Sequence, residues 1–203
     1  GGGGNASRPA LAIRSFMQDN DRAKLCVRGL GRLKDDDVVL SGTTMGAPLV
    51  AVEKLMTDKL RATGDAMSAA RGVTADALLC LEIGGGNGME VLYWSLLSGI
   101  PALDATAGKA FPEVQRGTPA LIGDEKGNRV TIDAASSVQS VDDLARAAVS
   151  TMGSSAAFVP APILGKECQR VAVPNAYSQA WRLGRTVIEA QQRQTDPVAA
   201  VVE

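Results

Sequence analysis

The 203-residue chain reads as an α/β fold: a mainly parallel sheet layered between helices on both faces, with a β-hairpin inserted. Three observations predict it. Short apolar runs alternate with stretches of helical spacing through the first half, as in strands joined by crossover helices. Apolar runs end in small-residue loops, most clearly Gly84-Gly85-Gly86-Asn87-Gly88, and such loops gather at the carboxyl ends of parallel strands. Two further apolar runs flank Asp124-Glu125-Lys126-Gly127-Asn128, a tight-turn composition. The class is Rossmann-like in its layering.

The elements follow in order. Gly1 to Asn5 is a loop capping a helix from about Ser7 or Arg8 to Gln18; Pro9 suits its first turn and Gln18-Asp19-Asn20-Asp21 ends it. Ala23 to Val27 is a short strand. Val38-Val39-Leu40 is a buried strand after the acidic turn Asp35-Asp36-Asp37, and it ends in the loop Ser41-Gly42-Thr43-Thr44-Met45-Gly46-Ala47-Pro48. A helix continues from Leu49 to about Ala62. Ala77 to Ile83 is the next strand, followed by a helix from about Gly88 to Ser98 that Gly99 closes. Pro101 to Asp104 is a strand ending in an acid. Ala120-Leu121-Ile122 and Val130-Thr131-Ile132 form the hairpin, Val141 to Met152 is helical, and Ala156 to Val159 is a strand. Asn175 caps a long final helix to about Gln194, with the apolar stripe Ala176, Ala180, Leu183, Val187 and Ile188.

Composition narrows the function. A net charge of −1 gives no electrostatic case for nucleic acid or a membrane surface, and no apolar run reaches the roughly 18–20 residues of a membrane span. Cys26, Cys80 and Cys168 lie far apart without a pairing pattern, which fits a reducing, cytoplasmic setting and structural thiols. With no histidine, chemistry must run on carboxylates, lysine, hydroxyls, thiols or backbone groups. Neither nicotinamide nor flavin is expected. The loose fingerprint Gly1-x-Gly3-x-x-Ala6 is followed after the second strand by Arg28 instead of an acid, and Gly84-x-Gly86-x-x-Met89 fails at its last position.

The candidate site lies where three glycine-bearing loops, each with a polar residue, meet: Asn5, Thr43 or Thr44, and Asn87. Free N–H groups around Gly84 and Gly85 attract anionic or polar ligand atoms, and glycine admits close approach. Glu82 is a charge in an apolar strand, so it either faces a pocket or pairs with a cation such as Lys109 or Arg116. Asp104 ends the next strand beside it, and Glu113 in Ala110-Phe111-Pro112-Glu113 is a third acid. Three carboxylates can hold a divalent metal or supply a general base and its orienters, and the sequence leaves that choice open.

These residues together resemble the S-methyl thiohydantoin desulfurase family, associated with hydantoinase/oxoprolinase proteins. The resemblance rests on Gly1-Gly2-Gly3-Gly4-Asn5, Met45-Gly46-Ala47-Pro48 with Glu53-Lys54-Leu55, Glu82-Ile83-Gly84-Gly85 with Asn87-Gly88, Pro101, Asp104, Ala110-Phe111-Pro112-Glu113, Asp124 to Asn128, and Val173-Pro174. It implies that residues 1–194 form the family's N-terminal α/β domain without its first strand. Residues 195–203 are then a linker, or the start of an absent, mainly β C-terminal domain. It further implies a hydrolase acting on a hydantoin-like or S-methyl thiohydantoin ring, releasing thiol from the carbon between the two nitrogens.

In that reading Glu82, Asp104 and Lys109 are catalytic, while Asn5, Thr43, Thr44, Gly84, Gly85, Asn87 and Glu113 bind the cyclic amide substrate. Lys109 stands where the family commonly has arginine; it keeps the charge and loses the bidentate fork. The competing expectation is a non-catalytic substrate-binding or partner subunit of a hydantoinase/oxoprolinase-type complex. The expected assembly is a homo-oligomer.

Overall fold

The computed structural model describes residues 5–47, 50, 58–108 and 119–202. Its sheet is organised around β2 (Val38–Gly46). The first half of β2 pairs in parallel with β3 (Ala77–Cys80), Val39 facing Ala77 and Gly42 facing Cys80. Its second half pairs antiparallel with β7 (Ser155–Pro160), Thr43 facing Phe158 and Gly46 facing Ser155. Beyond β3 come β4 (Ala102–Thr106) and then β1 (Val27–Arg28), both parallel. Beyond β7 come β5 (Ala120–Gly123) and β6 (Arg129–Ile132), both antiparallel and joined as the expected hairpin. The order is β1-β4-β3-β2-β7-β5-β6, with β8 (Ile163–Leu164) on the start of β2 and β9 (Val173–Pro174) on the end of β4.

Ala77, Leu78, Leu79 and Cys80 are fully buried, as befits a strand covered on both faces. One face is covered by α1 (Ser7–Asp19), α2 (Lys59–Arg71) and α3 (Gly85–Ser98): Ile13, Leu60, Met67, Val91 and Trp94 pack on Leu40, Leu78, Cys80 and Val159. On the other, Val141, Ala145 and Val149 of α4 (Val138–Thr151) pack on Ile122 and Phe158. Cys168 of α5 (Gly165–Val171) lies there among Val39, Leu79 and Leu103. The chain closes with α6 (Ala176–Gln192) and the short α7 (Pro197–Val202). The α/β class, the helices on both faces and the inserted hairpin are as the sequence predicts, in a mixed sheet.

Several elements differ from expectation. Ser41 to Gly46 continue β2 and are no loop, because β3 pairs with Ser41 and Gly42 and β7 supplies Thr43 to Gly46 with an antiparallel partner. Their small size answers to packing: a Cβ on Gly42 would come within 2.7 Å of the Leu60 side chain, and Gly46, at φ +149°, has the Ser154 carbonyl oxygen 2.2 Å from where a Cβ would stand. The helix expected over Leu49 to Ala62 falls largely outside the described residues. Within that span Val50 is helical, and a helix with Asp58 as its N-cap begins at Lys59 and runs on to Arg71, where Gly72 in the left-handed conformation closes it. β3 stops at Cys80 and α3 begins at Gly85, so the glycine run is the helix's first turn; Gly99 closes α3 as expected. The strand of Ala23 to Val27 is reduced to Val27–Arg28. The apolar stripe of α6 is largely uncovered, with Leu183 and Ile188 exposed and Ala190 its one buried residue, because this helix meets the sheet at its amino end.

Candidate active site

Glu82 leaves β3 and stops half-buried before the amino end of α3. Its Oε2 accepts from the Asn87 carboxamide at 3.2 Å, and its carbonyl accepts from the Cys80 thiol at 3.1 Å. Burial pushes the Glu82 carboxyl above its ordinary value, against the Asn87 hydrogen bond, which favours the charged form. Gly84 is the extended N-cap, and the first intrahelical bond runs from Gly88 N–H to the Gly84 carbonyl at 3.0 Å. The N–H groups of Gly85, Gly86 and Asn87 therefore precede the helical ladder and face the strand ends. Cys80 is no nucleophile here. Burial pushes its thiol up to about 12.

A second polar group lies alongside, which the sequence reading missed. The Thr44 hydroxyl donates to Glu90 Oε2 on α3, and Lys59 Nζ at the start of α2 donates to Ser155 Oγ at 2.7 Å. Burial pushes the Glu90 carboxyl up, while the Thr44 hydrogen bond and the Lys59 charge oppose the shift. A signal was available: Glu90 is a lone acid within the apolar helix from Met89 to Leu97, the same anomaly that singled out Glu82.

Asp104 is held differently from expectation. Only 8 % exposed, it caps α6: Oδ1 accepts the N–H groups of Tyr177 and Ser178 at 2.8 and 2.9 Å, and Oδ2 accepts the Ser178 hydroxyl. Its carbonyl also accepts Asn175 N–H at 2.7 Å. Asn175, the expected cap, sits at φ 63° and its side chain makes no cap bond. The Asp104 cap seats Tyr177, whose hydroxyl donates to the Gly88 carbonyl at 2.8 Å in the first turn of α3. Burial holds the Tyr177 hydroxyl well above its ordinary value.

The two threonines part company, because successive residues of a strand face opposite sides. Thr44 reaches Glu90, whereas Thr43 is buried on the other face, its hydroxyl without a partner among the described residues. Asn5 is exposed and its Oδ1 accepts Ser7 N–H at 2.8 Å, so its side chain serves α1. Glu82, Gly84, Gly85 and Asn87 come together at the amino end of α3; Lys109, Glu113 and Arg116 lie outside the described residues. Among the described residues no three His, Cys, Asp or Glu side chains gather as a metal-ligand set. Of the set Glu82, Asp104 and Glu113, the middle member is already engaged as a helix cap. Among those residues, too, no helix is long and apolar enough to cross a membrane.

A family model described as "S-Me-THD-like, N-terminal domain" matches residues 1–141, and one described as "S-Me-THD-like, C-terminal domain" matches residues 135–203. The chain carries both. The two models meet at the start of α4, whereas the sequence reading places a boundary near residue 194. Structurally the division is not a seam, since β7 of the second segment is wedged between β2 and β5 of the first. No curated protein matches. A crystal structure of a protein from Chromobacterium violaceum, a structural genomics target, is similar with a TM-score of 0.77 and 16 % identity over 94 % of this chain and 57 % of that one. That likeness shows the fold, and this chain spans a little over half of that protein's length.

Proposed function

We propose, from the premise that this chain belongs to the S-Me-THD-like family, that it is a thiohydantoin desulfurase-like hydrolase. The reaction is attack of water on the ring carbon that carries the thioether, between the two nitrogens of an S-methyl thiohydantoin, with loss of the thiol. One observation carries the reading: the half-buried Glu82 carboxyl is held by Asn87 at the amino end of α3, where the N-cap makes no side-chain hydrogen bond.

A base is needed for the water, and burial gives Glu82 a proton affinity nearer neutrality than an exposed glutamate has. Negative charge developing on the ring needs donors that cost no reorganisation, and the N–H groups of Gly85 to Asn87 supply them together with the helix dipole. Glycine at 84 and 85 lets the ring approach the backbone. Lys109 is the proposed cation of the reaction, with Glu113 four residues on in the sequence. Asp104 acts at one remove, seating α6 and Tyr177 against Gly88.

The test is thiol release from an S-methyl thiohydantoin by the full chain and by Glu82→Gln. Loss of the base lowers kcat/KM by about a hundredfold or more. The base works charged and its affinity for the proton is raised. The wild-type acid limb therefore lies above the ordinary value of 4.5, activity falls as pH drops through it, and Glu82→Gln lacks that limb. Equal rates in wild type and variant, or no thiol release by either, would sink the reading.

A binding-subunit role in a hydantoinase/oxoprolinase-type complex draws on a separate observation, the uncovered apolar residues Trp181, Leu183, Ile188 and Val198 of α6 and α7. Stable association with such a partner, without turnover, is the result that would favour it.

A further inference from the structure

A second carboxyl group, that of Glu90, stands on the helix that carries Asn87, the partner of Glu82. Gly42 faces Cys80 in the parallel ladder, so Thr44 stands as far beyond that pair on β2 as Glu82 does on the neighbouring chain. Thr44 holds Glu90, Asn87 holds Glu82, and Asn87 and Glu90 are three residues apart on one face of α3. β2, the exit of β3 and one face of α3 thus carry two hydrogen-bonded pairs of polar side chains. The Cys80 thiol lies within reach of both carboxylates, each of which disfavours its ionisation. Among the described residues, the other charged or titratable groups about Glu90 are Lys59 from α2 and, beyond Cys80, Tyr177 from α6. Burial keeps a proton on Glu90 to higher pH than usual, so the two carboxyls need not be charged together.

We propose that Glu90 is the general acid of the thiol-releasing reaction, protonating the departing sulfur while Glu82 takes the proton of the attacking water. The inference rests on the reading of Glu82 as the base. The balance closes in one turnover. The water oxygen bonds to the ring carbon, one water proton passes to Glu82, and the C=N electron pair moves to the ring nitrogen, which receives that proton from Glu82. The C–S bond then breaks with its electron pair on sulfur, Glu90 gives sulfur its proton, and the remaining hydroxyl proton restores Glu90 as the C=O bond forms. The products are the hydantoin and the thiol. Thr44 is the positioning residue that keeps one Glu90 oxygen engaged and turns the carboxyl along the helix face.

Leaving-group acidity tests this with the full chain and two rings. Methanethiolate is a poor leaving group and needs the proton; a nitrophenyl thiolate leaves without one. Glu90→Gln slows release from the S-methyl ring by about a hundredfold or more and from the S-nitrophenyl ring by less than about threefold, whereas Glu82→Gln slows both. Wild-type kcat differs by less than about tenfold between the two rings, because the acid compensates the poorer leaving group. This second measurement stands even if the Glu90 variant fails to fold. Equal slowing of both rings by Glu90→Gln, or a wild type far faster on the S-nitrophenyl ring, overturns the assignment of Glu90 alone. Absence of thiol release from either ring by wild type, or full rates in Glu82→Gln, overturns the underlying reading and this one with it.

Discussion

Asp104→Asn separates a helix cap from a catalytic carboxylate. The wild-type side chain accepts two backbone N–H groups and one hydroxyl at the amino end of α6. That helix is 17 residues long and buries only Ala190, so its hold on the sheet depends on this end. Asparagine keeps an oxygen for Tyr177 and Ser178 but loses the charge. Hydrogen bonds to a charged acceptor exceed neutral ones by roughly 1 kcal/mol, and a partly buried charge at a helix end adds about another. The expected loss is about 2 kcal/mol for asparagine, and about 4 kcal/mol for alanine, which also takes the acceptor away from the Tyr177 and Ser178 N–H groups. For a chain of this length each kcal/mol lowers Tm by about 2–4 °C, so the asparagine variant melts about 4–8 °C lower and the alanine variant about twice as far down. Calorimetry on the full chain gives Tm, and hydrogen exchange locates the loss in α6, whose amides should exchange faster while those of β2 and β3 do not. Thiol release per folded molecule should fall less than tenfold. A variant that melts with the wild type yet loses catalysis a hundredfold would place Asp104 in the chemistry and refute the cap.

Two further outcomes follow from the packing. Gly64→Ala drives a Cβ to 2.1 Å from the ring of Trp94, which is fully buried and cannot swing away, so about 3 kcal/mol of stability is lost and Tm drops by about 6–12 °C; an unchanged melt would mean that the ring has room. Of the three thiols, exposed Cys26 reacts with a disulfide reagent at the rate of a free thiol, while buried Cys168 and Cys80, the latter held near 12, react only as the protein unfolds. Fast labelling of a second thiol in the native protein would count against the described core.

What the sequence disclosed was what neighbours in the chain decide. Gly99 closing α3 and the turn from Asp124 to Asn128 depend on residues within a few positions, and both are where composition puts them. Glu82 with Asn87 is of this kind too, a charge among apolar residues with its partner five positions on. The misses have partners far away. Ser41 to Gly46 carry turn-like residues, and pairing with β3 and then with β7, the latter more than a hundred residues later, makes them a strand. Asn175 has the composition of a cap, yet the cap is Asp104, 73 residues earlier in the chain from the Tyr177 whose N–H it accepts. Lys59 and Ser155 are 96 residues apart and carry no local sign of each other.

Glu90 is the instructive case, because its partner Thr44 is remote while its anomaly is local. A buried ionisable group costs several kcal/mol unless something holds it. The rule that singled out Glu82 in its strand therefore applies equally to a lone acid on an apolar helix. Applied to both, it leads from the sequence to two carboxyls near the Cys80 thiol: one at the exit of β3, the other one turn into α3. The helix that joins them fixes their spacing. What the sequence could not supply was the placement of Thr44 of β2 against α3, which holds Glu90 near the Cys80 thiol that donates to the Glu82 carbonyl.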